Sequence, residues 1–143
     1  MKQKHFIDIQ NIREEDTELR NRNTYAFDKN CIIQITEKFD GSNACACWDN
    51  ETNQMIAFSR KQELSFNNTL NGFWNYIQEL PEYTTIRFKE YPNWRIFGEW
   101  SNKNKIIYND TGKIKHWYVY DIYDVELNTW LEQDIVKDFC KLA

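Results

Sequence analysis

Glycine and proline are scarce in this chain. Four glycines and two prolines in 143 residues leave little material for flexible linkers. There is no repeat, no low-complexity tract and no shift of composition along the chain, so residues 1–143 read as a single domain. No apolar run approaches the roughly 20 residues of a spanning helix, and Met1-Lys2-Gln3-Lys4 leads into no signal-like segment. No membrane role is expected, and a cytoplasmic location is. Metal-binding patterns are also missing. Cys31, Cys45, Cys47 and Cys140 form no C-x-x-C pair, and His5 and His116 stand far from them, which argues against zinc. Cys45 and Cys47 are two apart on an alternating segment, and they read as small buried apolar groups sharing one strand face. Nor is the chain basic. Its formal charge of −4 counts mildly against a tightly held nucleic acid, although Lys103, Lys105, Lys113 and Lys115 could line a local groove or a solvated loop.

What the chain does have is aromatic mass. Aromatics make up 16% of it, a share that favours a packed core or a base-stacking surface. Residues 31–37 are β-branched and read as a strand. Residues 43–48 and 55–58 read as strands flanking Asp49-Asn50-Glu51-Thr52-Asn53, a hairpin turn. Leu70, Phe73, Trp74, Ile77 and Leu80 recur at helical spacing, predicting a helix over 68–80 closed by Pro81. Trp94-Arg95-Ile96-Phe97 predicts a strand ending at Gly98, and residues 116–123 predict another. Asn128 is expected to cap a last helix bearing Leu131, Ile135, Val136 and Phe139. This order predicts an α+β fold with mainly antiparallel sheets and inserted helices.

The chemistry concentrates in Glu37-Lys38-Phe39-Asp40-Gly41-Ser42-Asn43, between two predicted strands. A lysine amine attacks only when unprotonated, so a nucleophilic lysine needs surroundings that favour its neutral form. Gly41 would let a bound group approach the backbone, and the Asn43 amide could reach a ribose or a phosphate. Three further stretches follow: Ser59-Arg60-Lys61, Phe97-Gly98-Glu99-Trp100 and Tyr118-Val119-Tyr120-Asp121-Ile122. Taken singly, Arg60 reads as a surface arginine, Glu99 as a turn acid and Tyr120 as a core aromatic.

Taken in order, they resemble the covalent nucleotidyltransferases, the superfamily of DNA ligases, RNA ligases and capping enzymes. Lysine in K-x-D-G-x-N, arginine after the next hairpin, Gly-Glu, then aromatic-Asp-hydrophobic is similar to motifs I, Ia, III and IIIa. Glu37 before the lysine, Asn43 after it, Gly-Glu-Trp and Tyr-Val-Tyr-Asp-Ile most resemble the RNA ligase 2-like branch of ATP-dependent RNA ligases. The resemblance runs from about Ile32 to the C-terminus and implies the N-terminal part of an adenylation domain.

It further implies that Lys38 attacks the α-phosphorus of ATP, with Mg2+ assisting, and passes AMP to an RNA 5′-phosphate before a 3′-hydroxyl seals the ends. Glu37 would border adenine. Asp40 and Gly41 belong to the nucleotide-binding motif. Asn43 and Arg60 would contact sugar or phosphates, Glu99 would accept from ribose hydroxyls, Tyr120 would stack on adenine, and Asp121 would orient the site. The partners implied are RNA ends, in repair or related work. The family's motif IV needs an acidic residue followed by glycine, but the glycines stand at 41, 72, 98 and 112, none after Tyr120. Lys103-Asn104-Lys105 and Lys113-Ile114-Lys115 have the form of motif V but precede motif IIIa. The expectation is a truncated or split ligase domain, completed by a second chain, or else a non-catalytic nucleotide- or RNA-binding remnant.

Overall fold

The computed structural model describes residues 38–102 and 116–142. By its contacts the chain divides into two compact units, one of them Phe6–Lys38 and the other the remainder. The fold below is that of the second unit. The expected strand at 31–37 and the lysines at 103, 105, 113 and 115 lie outside the described residues.

Five antiparallel strands form one sheet. β1 (Ser42–Asp49) and β2 (Gln54–Ser59) make the expected hairpin, and β3 (Trp94–Ser101), β4 (His116–Asp124) and β5 (Thr129–Trp130) complete the order β2-β1-β3-β4-β5. The α+β, mainly antiparallel architecture is therefore the one the sequence predicts. Asp49 builds the hairpin turn. Its carboxylate accepts from the Thr52 hydroxyl at 2.7 Å and from the amides of Glu51 and Thr52 at 3.3 Å, and Asn53 closes the turn at φ 53°.

Among the described residues there are three helices, α1 (Phe73–Gln78) and α2 (Glu82–Glu90) between β2 and β3, and α3 (Gln133–Leu142) after β5. The core lies between them and one face of the sheet. That face is small at its centre, with Ala44, Ala46, Ala57 and Gly98, and the space is filled by Phe73, Ile77, Phe88, Trp100, Val136 and Phe139. Trp117 lies directly over Gly98. A Cβ there would stand 2.3 Å from the indole nitrogen and 2.7 Å from the Tyr118 carbonyl, so the stacking of Trp117 on Phe73 and Phe88 requires glycine.

Several expected boundaries move. The helix expected over 68–80 occupies only Phe73–Gln78. Leu70, Asn71 and Gly72 are left-handed at φ 48°, 54° and 91°, and the Asn71 carbonyl accepts from the Trp100 indole and the Asn102 amide rather than from a helical turn. Pro81 ends one helix and starts another. It stands at the N-cap of α2, with Glu82 in the first turn and Arg87 and Lys89 in the last, which suits the helix dipole. The β-branched Thr84-Thr85-Ile86 run hid this helix from the sequence reading. β3 does not end at Gly98 but continues to Ser101. Asn128 caps no helix. It is left-handed, at φ 53°, in the turn between β4 and β5, where its side chain accepts from the Tyr123 hydroxyl, and α3 begins five residues later. Among the described residues, no helix is long and apolar enough to cross a membrane.

Candidate nucleotide site

The face of the sheet opposite the helices carries the polar residues. Directly paired residues of antiparallel strands project to the same side. Asn43 pairs with Glu99, and Glu99 with Tyr118, so these three form one row across β1, β3 and β4. The next row is Phe58, Cys45, Phe97 and Asp121. Beyond it Arg95 pairs with Tyr123, and Tyr123 with Trp130.

Tyr120 shares this face with Tyr118 by ordinary alternation, and an irregularity of β4 brings Asp121 to it as well. Gly98 pairs with Val119 and Phe97 with Asp121, leaving Tyr120 as the extra residue of a β-bulge. The bulge turns Tyr120 and its neighbour Asp121 to the same side. The Tyr120 hydroxyl then accepts a hydrogen bond from Asn43 Nδ2 at 2.5 Å. Gln133, the first residue of α3, pins the bulge from the outer edge of β4. Its Nε2 donates to the Tyr120 carbonyl at 2.9 Å and to Asp121 Oδ1 at 3.0 Å. The Leu131 amide donates to the Ile122 carbonyl at 2.9 Å on the same edge. Asp121 is thus held by a glutamine that the sequence reading missed. Nothing in the local pattern around Gln133 marks it.

Phe39 stacks flat on Tyr118, with ring centroids 4.1 Å apart and 7° between the planes. Because Tyr118 pairs with Glu99, this stack fixes the residue after Lys38 to the row of Glu99 and Asn43. Gly41 leads into β1 under a tight constraint. A Cβ there would stand 2.5 Å from the Trp100 carbonyl, so the close approach it permits is by β3 of the same chain. That differs from the expected approach of a bound group.

The buried groups around Tyr120 resist ionisation. Burial, then the carboxylates of Glu99 and Asp121, then Cys45, push the Tyr120 hydroxyl well above its ordinary value. Burial also raises the Asp121 carboxyl, partly offset by the bond from Gln133. Cys45 and Cys47 are buried on the site face, as the alternation implied. Burial pushes the Cys45 thiol well up. It takes Cys47 to about 11, with Arg95 pulling down and Asp49 and Glu63 pushing up, so neither sulfur is a ready nucleophile. Arg95 is itself buried, with Nη1 donating to the Pro92 and Trp94 carbonyls at 3.0 Å.

Of the residues singled out from sequence, Asn43, Glu99, Tyr120 and Asp121 come together on one face. Arg60 follows the last residue of β2 and is exposed, in a tight turn where the Ser59 hydroxyl accepts from the Lys61 and Gln62 amides at 3.4 and 3.1 Å. Asp40 lies in the lead into β1. Lys38 is exposed and closes the other compact unit, and Glu37 lies outside the described residues. Among the described residues, no three of His, Cys, Asp and Glu are grouped to hold a metal ion.

The antiparallel sheet thus gathers an asparagine, a glutamate and an aromatic on one face. Residues 32–143 match the family model described as RNA ligase, and the chain belongs to that family. Among solved structures, it is similar to two forms of an archaeal ATP-dependent RNA ligase, each with a TM-score of 0.55, at 20% and 21% identity. Each match covers 73% of this chain and 27% of the archaeal one, so the likeness is one of fold, and this chain spans about a quarter of the length of those ligases. No curated protein matches.

Proposed function

We propose that this chain carries the adenylate-accepting front of an ATP-dependent RNA ligase of the RNA ligase 2-like type, with Lys38 as nucleophile. The observation that carries the reading is the gathering of Asn43, Glu99 and Tyr120 on one sheet face, in the order and spacing of the ligase motifs. Tyr120 offers a π-face to adenine, Glu99 an acceptor to ribose hydroxyls, and Asn43 an amide to the sugar or phosphate. Glu37, Asp40 and Arg60 border the nucleotide.

In the first step the unprotonated Lys38 Nζ attacks the α-phosphorus of ATP. A P–N bond forms, the P–O bond to pyrophosphate breaks, and the amine proton passes to solvent. An oxygen of an RNA 5′-phosphate then displaces the lysine from AMP. A 3′-hydroxyl finally attacks that 5′-phosphate and releases AMP. Magnesium assists such phosphoryl chemistry by neutralising charge. Among the described residues, no three of His, Cys, Asp and Glu are grouped to hold it. The acidic-Gly motif and the K-x-K pair beyond motif IIIa do not occur in these 143 residues. Preorganised groups of that kind each stabilise a transition state by a few kcal/mol. A second reading is a nucleotide- or RNA-binding module without catalysis.

The test is transfer of label from α-phosphate-labelled ATP to protein, with AMP binding measured by calorimetry. The chain alone is expected to bind AMP and to take little label. A fragment carrying the two missing motifs should restore labelling, and Lys38→Ala should abolish it. Tyr120→Ala should weaken AMP binding by about 1–3 kcal/mol, the loss typical of a base–aromatic stack. AMP binding that no fragment turns into labelling would favour the binding module. No AMP binding at all would end both readings.

A further inference from the structure

We propose that the Tyr120 hydroxyl is a positioning group that fixes the Asn43 amide for its contact with bound nucleotide, so that the stacking ring and the amide act as one unit. The inference rests on the nucleotide-site reading above and deepens it.

A ring needs no hydroxyl to stack on a base. Here the hydroxyl is engaged. Asn43 Nδ2 donates to it at 2.5 Å, across 77 positions of sequence. Both partners are held by backbone. Asn43 sits within β1 opposite Glu99, and Tyr120 is the bulge residue of β4, its carbonyl held by Gln133 at 2.9 Å. A side-chain amide has two N–H donors and one acceptor oxygen in a single plane. Committing one N–H to a fixed oxygen sets that plane. The second N–H and Oδ1 then point in set directions rather than being found by rotation when a ligand arrives, and pre-setting of this kind lowers the cost of binding. The raised Tyr120 hydroxyl also stays protonated through the physiological range, so the arrangement is constant there.

Losing one such bond should weaken AMP binding about three- to tenfold. The measurement is a double-mutant cycle in AMP affinity with Tyr120→Phe, Asn43→Ala and the pair, since residues acting as one unit lose binding non-additively. Tyr120→Phe should weaken binding in the wild-type background and change nothing further in Asn43→Ala. Side-chain amide NMR of the free chain gives a second readout. The Asn43 Nδ2 proton pair should be widely split in the wild type and collapse together in Tyr120→Phe. Additive losses, an unchanged affinity in Tyr120→Phe, or an Asn43 amide indifferent to it would each overturn the proposal while leaving the nucleotide site standing. A wild-type chain that binds no AMP would bring down the nucleotide site, and this proposal with it.

Discussion

Replacing Gln133 with alanine should damage the site without touching any residue that faces the nucleotide. Gln133 Nε2 makes two bonds, one to the neutral carbonyl of Tyr120 and one to the carboxylate of Asp121. A neutral bond contributes about 0.5–1.5 kcal/mol net, and a bond to a charged group about 1.5–3 kcal/mol. Asp121 is only half-buried, so water would partly replace the lost donor, and the second contribution falls toward the bottom of its range. The expected loss at neutral pH is therefore about 2 kcal/mol. Its pH dependence has a fixed sign. The folded-state carboxyl of Asp121 already lies above its ordinary value, and the Gln133 bond is what holds it down. Removing the bond raises it further. A folded pKa above the unfolded one costs stability as pH rises through the window between them. The variant has the wider window, so its deficit should be largest near pH 7.5. Toward pH 3, below even the ordinary aspartate value of about 3.9, the raised carboxyl is protonated in both folded proteins, and mainly the carbonyl bond is still missing. Urea unfolding of both proteins at the two pH values measures this. A deficit equal at both would show that Gln133 does not act on the Asp121 carboxylate. Gln133→Glu, which sets a second carboxylate beside the first, should show the same pH trend more steeply.

Asp121→Asn keeps an oxygen for Gln133 and removes the buried charge. It should be more stable than the wild type at neutral pH, with the gap closing as pH falls through the raised Asp121 pKa, and a gap that persists in acid would contradict the stated cause of the shift. Gly98→Ala should destabilise by about 1–3 kcal/mol, because its Cβ meets the Tyr118 backbone as well as the Trp117 indole. Thermal melts would show it, and an unchanged melting temperature would mean that Trp117 does not lie over Gly98 as described.

The sequence made the strands legible where alternation is strict. β1 and β2 follow from small and apolar residues either side of Asp49–Asn53, and β4 from its aromatic and β-branched run. Asn43 and Glu99 were legible as motif positions because each stands close to a glycine, whereas Tyr120 and Asp121, inside β4, were legible only from the order of the motifs. Helix α2 was not. Its β-branched centre argues for strand, and only packing of Thr84 and Phe88 into the core decides for helix. The left-handed Leu70 was not legible either, since leucine at φ 48° runs against local preference and is held by tertiary bonds to Asn71. Gln133 is invisible for a related reason. Its importance comes from the edge it caps, 12 and 13 positions away, and not from its neighbours. The sequence reading of Tyr120 concerns only its ring, and only the fold shows that its hydroxyl has a partner on another strand.

The bulge at Tyr120 also acts as a phase shift in a two-beat rhythm. Before it, even positions of β4 face the ligand side, and after it odd ones do. Tyr118, Tyr120, Asp121 and Tyr123 all reach that side, four of six consecutive positions where an unbroken strand would give three. The strand thus presents an extra functional group without becoming longer. It also becomes intolerant of length changes. Deleting one residue here would restore even alternation and move one half of the strand to the wrong side, either Asp121 and Tyr123 away from the candidate site face or Trp117 and Val119 away from the core. Substitutions along β4 can be graded by size and polarity, but insertions and deletions are all-or-none.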